Sequence, residues 1–133
     1  MTDNYHLPAG ETTTDDPSLI GTGAVKYDAG KVGVFQGLIN YFPRALWGVA
    51  EISTFGAQKY AWNGWADVAD GYNRYQDAKF RHALKQAMGE EIDPDSQKYH
   101  ILHEAWGALA AAELYLREQE RVAFGNKEKK NAA

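Results

Sequence analysis

The sequence predicts an all-α fold, a helical bundle, and three observations carry that reading. Apolar and small residues recur three and four apart through most of the chain between about positions 43 and 124. Helix-punctuating residues, Pro43, Gly89 and Gly125, stand at the ends of the periodic runs. The run "GALAAA" (107–112) offers only small side chains and one leucine, a surface on which another helix can approach closely.

Taken in order, residues 1–22 are polar, rich in Thr, Asp, Gly and Pro, without periodicity, and read as a flexible arm. Residues 23–125 read as a single helical domain, and 126–133 as a polar C-terminal tail. Pro43 suits the first position of a helix, where its missing N–H costs nothing. From there "PRALWGVAEISTFGAQKY" places Leu46, Val49, Ala50 and Ser53 on one stripe and Ile52, Phe55 and Gly56 on another. "AWNGWADVADG" is a loop marked by Asn-Gly and Asp-Gly. A second helix is expected from about Tyr72 to Met88, closed by Gly89. The third is expected to be capped by Asp93, Asp95 or Ser96, to take Pro94 into its first turn and to run to about Phe124, on the order of 40 Å. A helix that long in a domain this small predicts a homo-oligomer, dimer or tetramer.

Composition narrows the function classes. A chain of 133 residues with 44% hydrophobic and 24% charged residues fits one soluble globular domain. A formal net charge of −4 argues against nucleic acid or an anionic membrane as partner, while leaving room for a basic pocket. The absence of cysteine excludes disulfides, thiolate metal sites and cysteine nucleophiles. No signal-peptide pattern and no apolar run of membrane-spanning length is found, so the cytoplasm is the expected location.

Several residues invite two readings each. Arg74, Asp77 and Arg81 share a face of the second helix. They form either ordinary surface pairs or a stripe in which cations meet phosphate and the carboxylate meets a metal. His82 falls on a largely apolar face, as a hydrogen-bonded core residue or a ligand. His100, His103 and Glu104 lie on one side of the third helix and suit a metal or phosphate site, without the zincin spacing. Glu90 and Glu91 follow a helix end, where negative charge is slightly unfavourable, so the turn "GEEIDPDS" is the place at which metal chemistry is expected. Its oxygen donors favour Mg²⁺ or Mn²⁺ over zinc. Glu51, the one acid between Pro43 and Tyr60, must face solvent, a cation or a metal. "KYDAGK" (26–31) and "KYAWNGW" (59–65) combine lysines for phosphate with aromatic faces for a base, and together suggest a nucleotide ligand.

The segments "KYDAGK", "FGAQKYAWNGW", "RYQDAKFRHALKQAMGEEIDPDS" and "HILHEAWGALAAAEL", in that order and spacing, resemble the phage and bacterial dATP/dGTP diphosphohydrolase family. That family is similar in behaviour to the MazG-like all-α nucleoside triphosphate pyrophosphohydrolases. The resemblance spans about residues 24–118 and is densest from Arg74 to His103. It implies a Mg²⁺- or Mn²⁺-dependent enzyme, in the host cytoplasm if phage-encoded, that cleaves a purine (deoxy)nucleoside triphosphate to the monophosphate and pyrophosphate. Two departures stand out. Gly64 is inserted where the family reads Asn-Trp, and Glu51 stands alone where the all-α enzymes carry Glu-Glu-x-x-Glu, answered by Glu-x-x-Asp. Glu90-Glu91-Ile92-Asp93 matches the second pattern, but at a turn.

On this resemblance Glu51, Asp77, Glu90 and Asp93 are the expected catalytic metal-binding carboxylates, with His103 and Glu104 completing or orienting the set and His82 assisting. Lys26, Lys31, Lys59, Arg74 and Arg81 are expected on the triphosphate, and Tyr60, Asn63 and Trp65 on base and sugar. The alternative is a nucleotide-sequestering module without turnover, which would keep the cations and aromatics but would not need the acidic turn.

Overall fold

A computed structural model describes residues 26–132, so the arm read over 1–22 lies outside the described residues. The chain divides at Tyr41 into two units. In the first, a five-residue π-helical turn, Phe35–Ile39, is closed by Asn40 N–H donating to the Phe35 carbonyl at 2.9 Å. The second carries three helices: α1 (Pro43–Tyr60), α2 (Gly71–Ala87) and α3 (His100–Asn131). Among the described residues there is no strand beyond one isolated bridge, Ile92 with Tyr99, so the fold is all-α as expected.

Proline opens α1 as its fixed φ allows. Ala61, at φ +66, ends it and returns its N–H to Ala57. A 3₁₀ turn, Gly64–Asp67, follows. Asp70, at φ +53, turns the chain into α2 and accepts a hydrogen bond from the Asn73 amide at 2.9 Å. Gly89, at φ +101, occupies the left-handed position that stops α2, the expected role.

α2 and α3 pack antiparallel. Their register is visible in paired positions: His82 against His100 and His103, Lys79 against Gly107, and Gly71 against Leu114. Close approach is possible because Gly107 presents no Cβ to Lys79 and because Ala110 and Ala111, both buried, follow on the same helix. α1 reaches α3 at Gly48, whose missing Cβ makes room for Leu102, and at Ser53, whose Oγ accepts the Trp106 indole N–H at 2.9 Å. Trp106 also meets Tyr75 and Trp65 edge-on, with ring centroids 5.3 and 6.0 Å apart. Tyr75 donates its hydroxyl hydrogen bond to the Trp65 carbonyl, which ties the 3₁₀ turn to the helix pair.

The third helix differs from its expected limits at both ends. Asp93 and Ser96 do act as caps, but of a turn: Ser96 N–H donates to Asp93 Oδ2 at 2.9 Å and Gln97 N–H to the Asp93 carbonyl at 2.8 Å. Gln97 then adopts φ +60, which a helix cannot propagate through, and the bridge between Ile92 and Tyr99 closes residues 91–100 as a small hairpin. Helix α3 therefore begins at His100, with Tyr99 at its N-cap and no side-chain cap. At the other end Gly125 does not stop it, and most of the segment read as a tail is helical to Asn131. A glycine ends a helix only where it turns left-handed, and the lysines of the last turn, Lys129 and Lys130, complement the helix dipole.

Candidate functional site

The hairpin at 91–100 folds the acidic turn back over the facing ends of α2 and α3, and three histidines gather beneath it. His100 is fully buried at the start of α3. Its Nε2 lies 2.8 Å from Glu90 Oε1 and its Nδ1 lies 2.8 Å from His82 Nδ1. His82, from α2, stacks on His103, one turn further along α3, with centroids 4.2 Å apart and ring planes 7° from parallel. His103 Nε2 is 2.7 Å from Ser96 Oγ and 3.7 Å from Asp93 Oδ2. Asp93 and Ser96 are themselves buried.

The electrostatics follow from that packing. Burial, and then the neighbouring His103, hold the His82 imidazole down to about pKa 4. His103 is lowered from its ordinary value too, chiefly by burial, with Asp93 working against the shift. Burial alone would raise Asp93. The backbone and hydroxyl hydrogen bonds from Ser96, aided by the two histidines, outweigh it and leave the carboxyl below its usual range. Near neutral pH the centre thus holds a carboxylate beside two uncharged imidazoles.

Beside this centre lies an open cleft of about 430 Å³, lined by Trp47, Glu51, Thr54, Phe55, Ser96 and Lys98 among others. Glu51 is ion-paired with Lys98, and the pair also borders a second cleft of about 440 Å³ that includes Arg44 and Leu102. Lys59 Nζ sits 2.7 Å from Asp95 Oδ2. Ser96 belongs to both places: it lines the first cleft and touches His103 in the centre.

Among the residues expected from sequence, Glu90, Asp93, His82 and His103 are brought together. Glu51 is directed to Lys98 instead, and Asp77, Arg74 and Arg81 lie exposed on α2. Glu104 is half-buried, with its Oε2 buried and lacking a hydrogen-bond partner. Tyr60 and Asn63 are exposed, whereas Trp65 packs in the aromatic cluster with Tyr75 and Trp106 and under the Arg117 guanidinium, 5.4 Å from its ring. Lys26 and Lys31 are exposed in the first unit. Sequence reasoning did not single out Ser96 as a contact of His103, Lys98 as the partner of Glu51, or Trp47 as a cleft wall. His100, noted only as part of a helical cluster, stands at the centre of it. The signal for His100 was its spacing from His103 on one helix face; the other three depend on a hairpin that has no periodic signature.

The donor set bears on which metal fits. A divalent ion finds carboxylates here in Asp93 and Glu90, but the nearest other donors are imidazoles. That mixture suits Mn²⁺ better than Mg²⁺, which prefers oxygen throughout. Among comparisons with known proteins, the family model described as dATP/dGTP diphosphohydrolase, N-terminal, matches residues 21–123. No curated protein and no solved structure matches the chain. The name of the matching family is that of a hydrolase. No helix among the described residues is long and apolar enough to cross a membrane.

Proposed function

Because the chain belongs to the dATP/dGTP diphosphohydrolase family, matched over residues 21–123, we propose that it is a metal-dependent pyrophosphohydrolase of purine (deoxy)nucleoside triphosphates, releasing the monophosphate and pyrophosphate. The observation that carries this reading is the position of Ser96, which joins an open, lysine-bordered cleft to the buried carboxylate–imidazole centre. A triphosphate in the cleft would place its phosphates near the one part of the fold that gathers carboxylates and uncharged bases.

In this reading the cleft takes the nucleotide, with Trp47 and Phe55 offering aromatic faces to the base, Lys98 of its wall delivering charge to the phosphates, and Lys59, beside Phe55, adding to it. Both lysines already face carboxylates, Glu51 and Asp95, so phosphate would compete for them. Arg74 and Arg81 on α2 remain candidates for the outer phosphates, and Tyr60, Asn63 and Trp65 for base and sugar. Asp93, Glu90 and His103 would hold Mg²⁺ or Mn²⁺. Such an ion polarises a phosphoryl oxygen and makes its bound water a better nucleophile at neutral pH. Glu104, whose buried oxygen has no partner, and the carboxylates Glu51 and Asp77 stand in reserve for that role. His82, uncharged at neutral pH, can accept a proton.

The test is incubation of the protein with dGTP or dATP and Mg²⁺ or Mn²⁺, followed by separate detection of pyrophosphate and orthophosphate. Pyrophosphate with a nucleoside monophosphate is expected. Asp93→Asn and Glu90→Gln, each removing a carboxylate that would hold the ion, are expected to lower turnover by at least the roughly 10–100-fold seen when a ligand's support alone is lost. Nucleotide binding without any product would favour the sequestering module instead.

A further inference from the structure

We propose that His82, His100 and Asp93 form a resident site for a first-row transition ion that prefers imidazole, of the zinc, cobalt or nickel type, separate from any magnesium that a triphosphate carries. The inference goes beyond the pyrophosphohydrolase reading; it shares Asp93 and His82 with that reading but is tested by metal binding alone.

The geometry begins with His100. A carboxylate can only accept a hydrogen bond, so the 2.8 Å contact to Glu90 requires His100 to donate from Nε2. The tautomer that donates from Nε2 presents the lone pair of Nδ1, and that atom lies 2.8 Å from His82 Nδ1. Glu90, His100 and the space at Nδ1 thus reproduce the order carboxylate, histidine, metal by which proteins orient imidazole ligands and raise their basicity. His100 is fully buried, so its orientation is held by packing as well as by Glu90.

The third donor is close at hand. One ligand atom each from His82, Asp93 and His100 lies within 4.8 Å of the other two. Bonds of about 2.0–2.1 Å in a tetrahedral arrangement separate donors by roughly 3.4 Å. The two Nδ1 atoms therefore need to open by roughly half an ångström, a change within side-chain rotation, while Asp93 closes in. His82 would pass its Nδ1 proton to Nε2, so binding needs no net loss of charge from the ring. Three protein donors leave one position of a four-coordinate ion for an exchangeable ligand, the arrangement of catalytic rather than structural sites. The donor set, two imidazole nitrogens and one carboxylate, ranks these ions above Mg²⁺.

The experiment uses the full chain, freed of metal by chelation, and titrates it separately with Co²⁺, Zn²⁺ and Mg²⁺ by calorimetry. Co²⁺ is also followed by its visible absorption. The expected result is one Co²⁺ or Zn²⁺ per chain, bound at least about a hundredfold more tightly than Mg²⁺, with Zn²⁺ displacing Co²⁺ and its colour. Asp93→Asn and His82→Gln should abolish the stoichiometric site. Glu90→Gln should retain it about 10–100-fold weaker. Glu113→Gln, which removes a surface carboxylate on α3, should leave it unchanged, and circular dichroism confirms that each variant is folded. Equal affinity for Mg²⁺ and Zn²⁺, or tight binding that survives both Asp93→Asn and His82→Gln, would overturn the site. Nucleotide turnover is not read in this assay, so its result and that of the pyrophosphate assay stand apart.

Discussion

His82 is the residue at which burial, charge and function meet most directly. Burial, the stacked His103, the facing His100 and Lys85 one turn away all disfavour a proton on its ring, and Asp93, which favours one, is outweighed. The folded value of about 4 lies below the ordinary 6.5, so the native state binds fewer protons than the unfolded chain. The stability supplied by the uncharged ring is therefore complete above pH 6.5 and is lost as pH falls towards 4. His103 is shifted the same way and adds to the loss, while Asp93, also lowered, gives way only in more acid solution, below the usual carboxylate value. For metal-free protein the melting temperature is expected to fall between pH 6.5 and 4, and to fall less steeply in His82→Gln. A flat profile for the parent chain over that range would mean that the ring is not held uncharged by its surroundings. This centre was partly legible beforehand. Glu90 stood out because negative charge after a helix end lacks a local reason, and its reason is the buried His100. Glu51 stood out for the same kind of argument, and of the three partners open to it, solvent, cation or metal, the fold supplies a cation, Lys98.

At the scale of elements, two glycines decide how closely the helices approach, and they are not equivalent. A Cβ at Gly107 would lie 2.9 Å from Lys79 Cβ and 3.6 Å from its Cα, so relief requires α2 and α3 to part. A Cβ at Gly48 would lie 2.5 and 2.6 Å from the two methyl carbons of Leu102, the far end of a flexible side chain that can rotate away. Alanine gains up to about 1 kcal/mol in helix propensity at either position. Overpacking costs about 1–3 kcal/mol where backbone must move. Gly107→Ala is thus expected to destabilise by up to about 2 kcal/mol net once the full propensity gain is taken off, and Gly48→Ala by less, as measured by urea unfolding. Equal losses would mean that Leu102 is as constrained as the α2 backbone. The small-residue run that predicted a close helix contact was a sound guide here, since Gly107, Ala110 and Ala111 are all buried. The limits of α3 were not, because Asp, Pro and Ser cap turns by the same hydrogen bonds with which they cap helices. Only the left-handed Gln97, a conformation with no compositional signature, separates the two outcomes.

For the molecule as a whole, the amount of apolar surface left uncovered argues for a second copy of the chain. Among the described residues the buried hydrophobic side chains are Ile52, Ala110 and Ala111, a small core for helices of this length. Phe80 and Leu84 on α2 and Met88 at its C-cap stand four apart and are 58%, 63% and 78% exposed, a stripe of the kind that buries against another helix. Helix α3 also runs on beyond Tyr115, the residue that meets Tyr72 near the start of α2, and carries Leu116, Val122 and Phe124 with it. A helical extension from 116 to 131 is of marginal stability in water on its own. Its ion pair, Arg121 with Glu118, is solvent-exposed and adds little to hold it. Association through these stripes would stabilise both elements at once, and sedimentation is expected to find a dimer or tetramer. In a two-fold interface each substitution counts twice. Removing Leu84 from a buried position on both sides costs roughly 3–6 kcal/mol, so Leu84→Glu should weaken association by about 10²–10⁴-fold. A parent chain that sediments as a monomer at tens of micromolar, with Leu84→Glu unchanged in melting temperature, would show that the stripe is ordinary exposed surface.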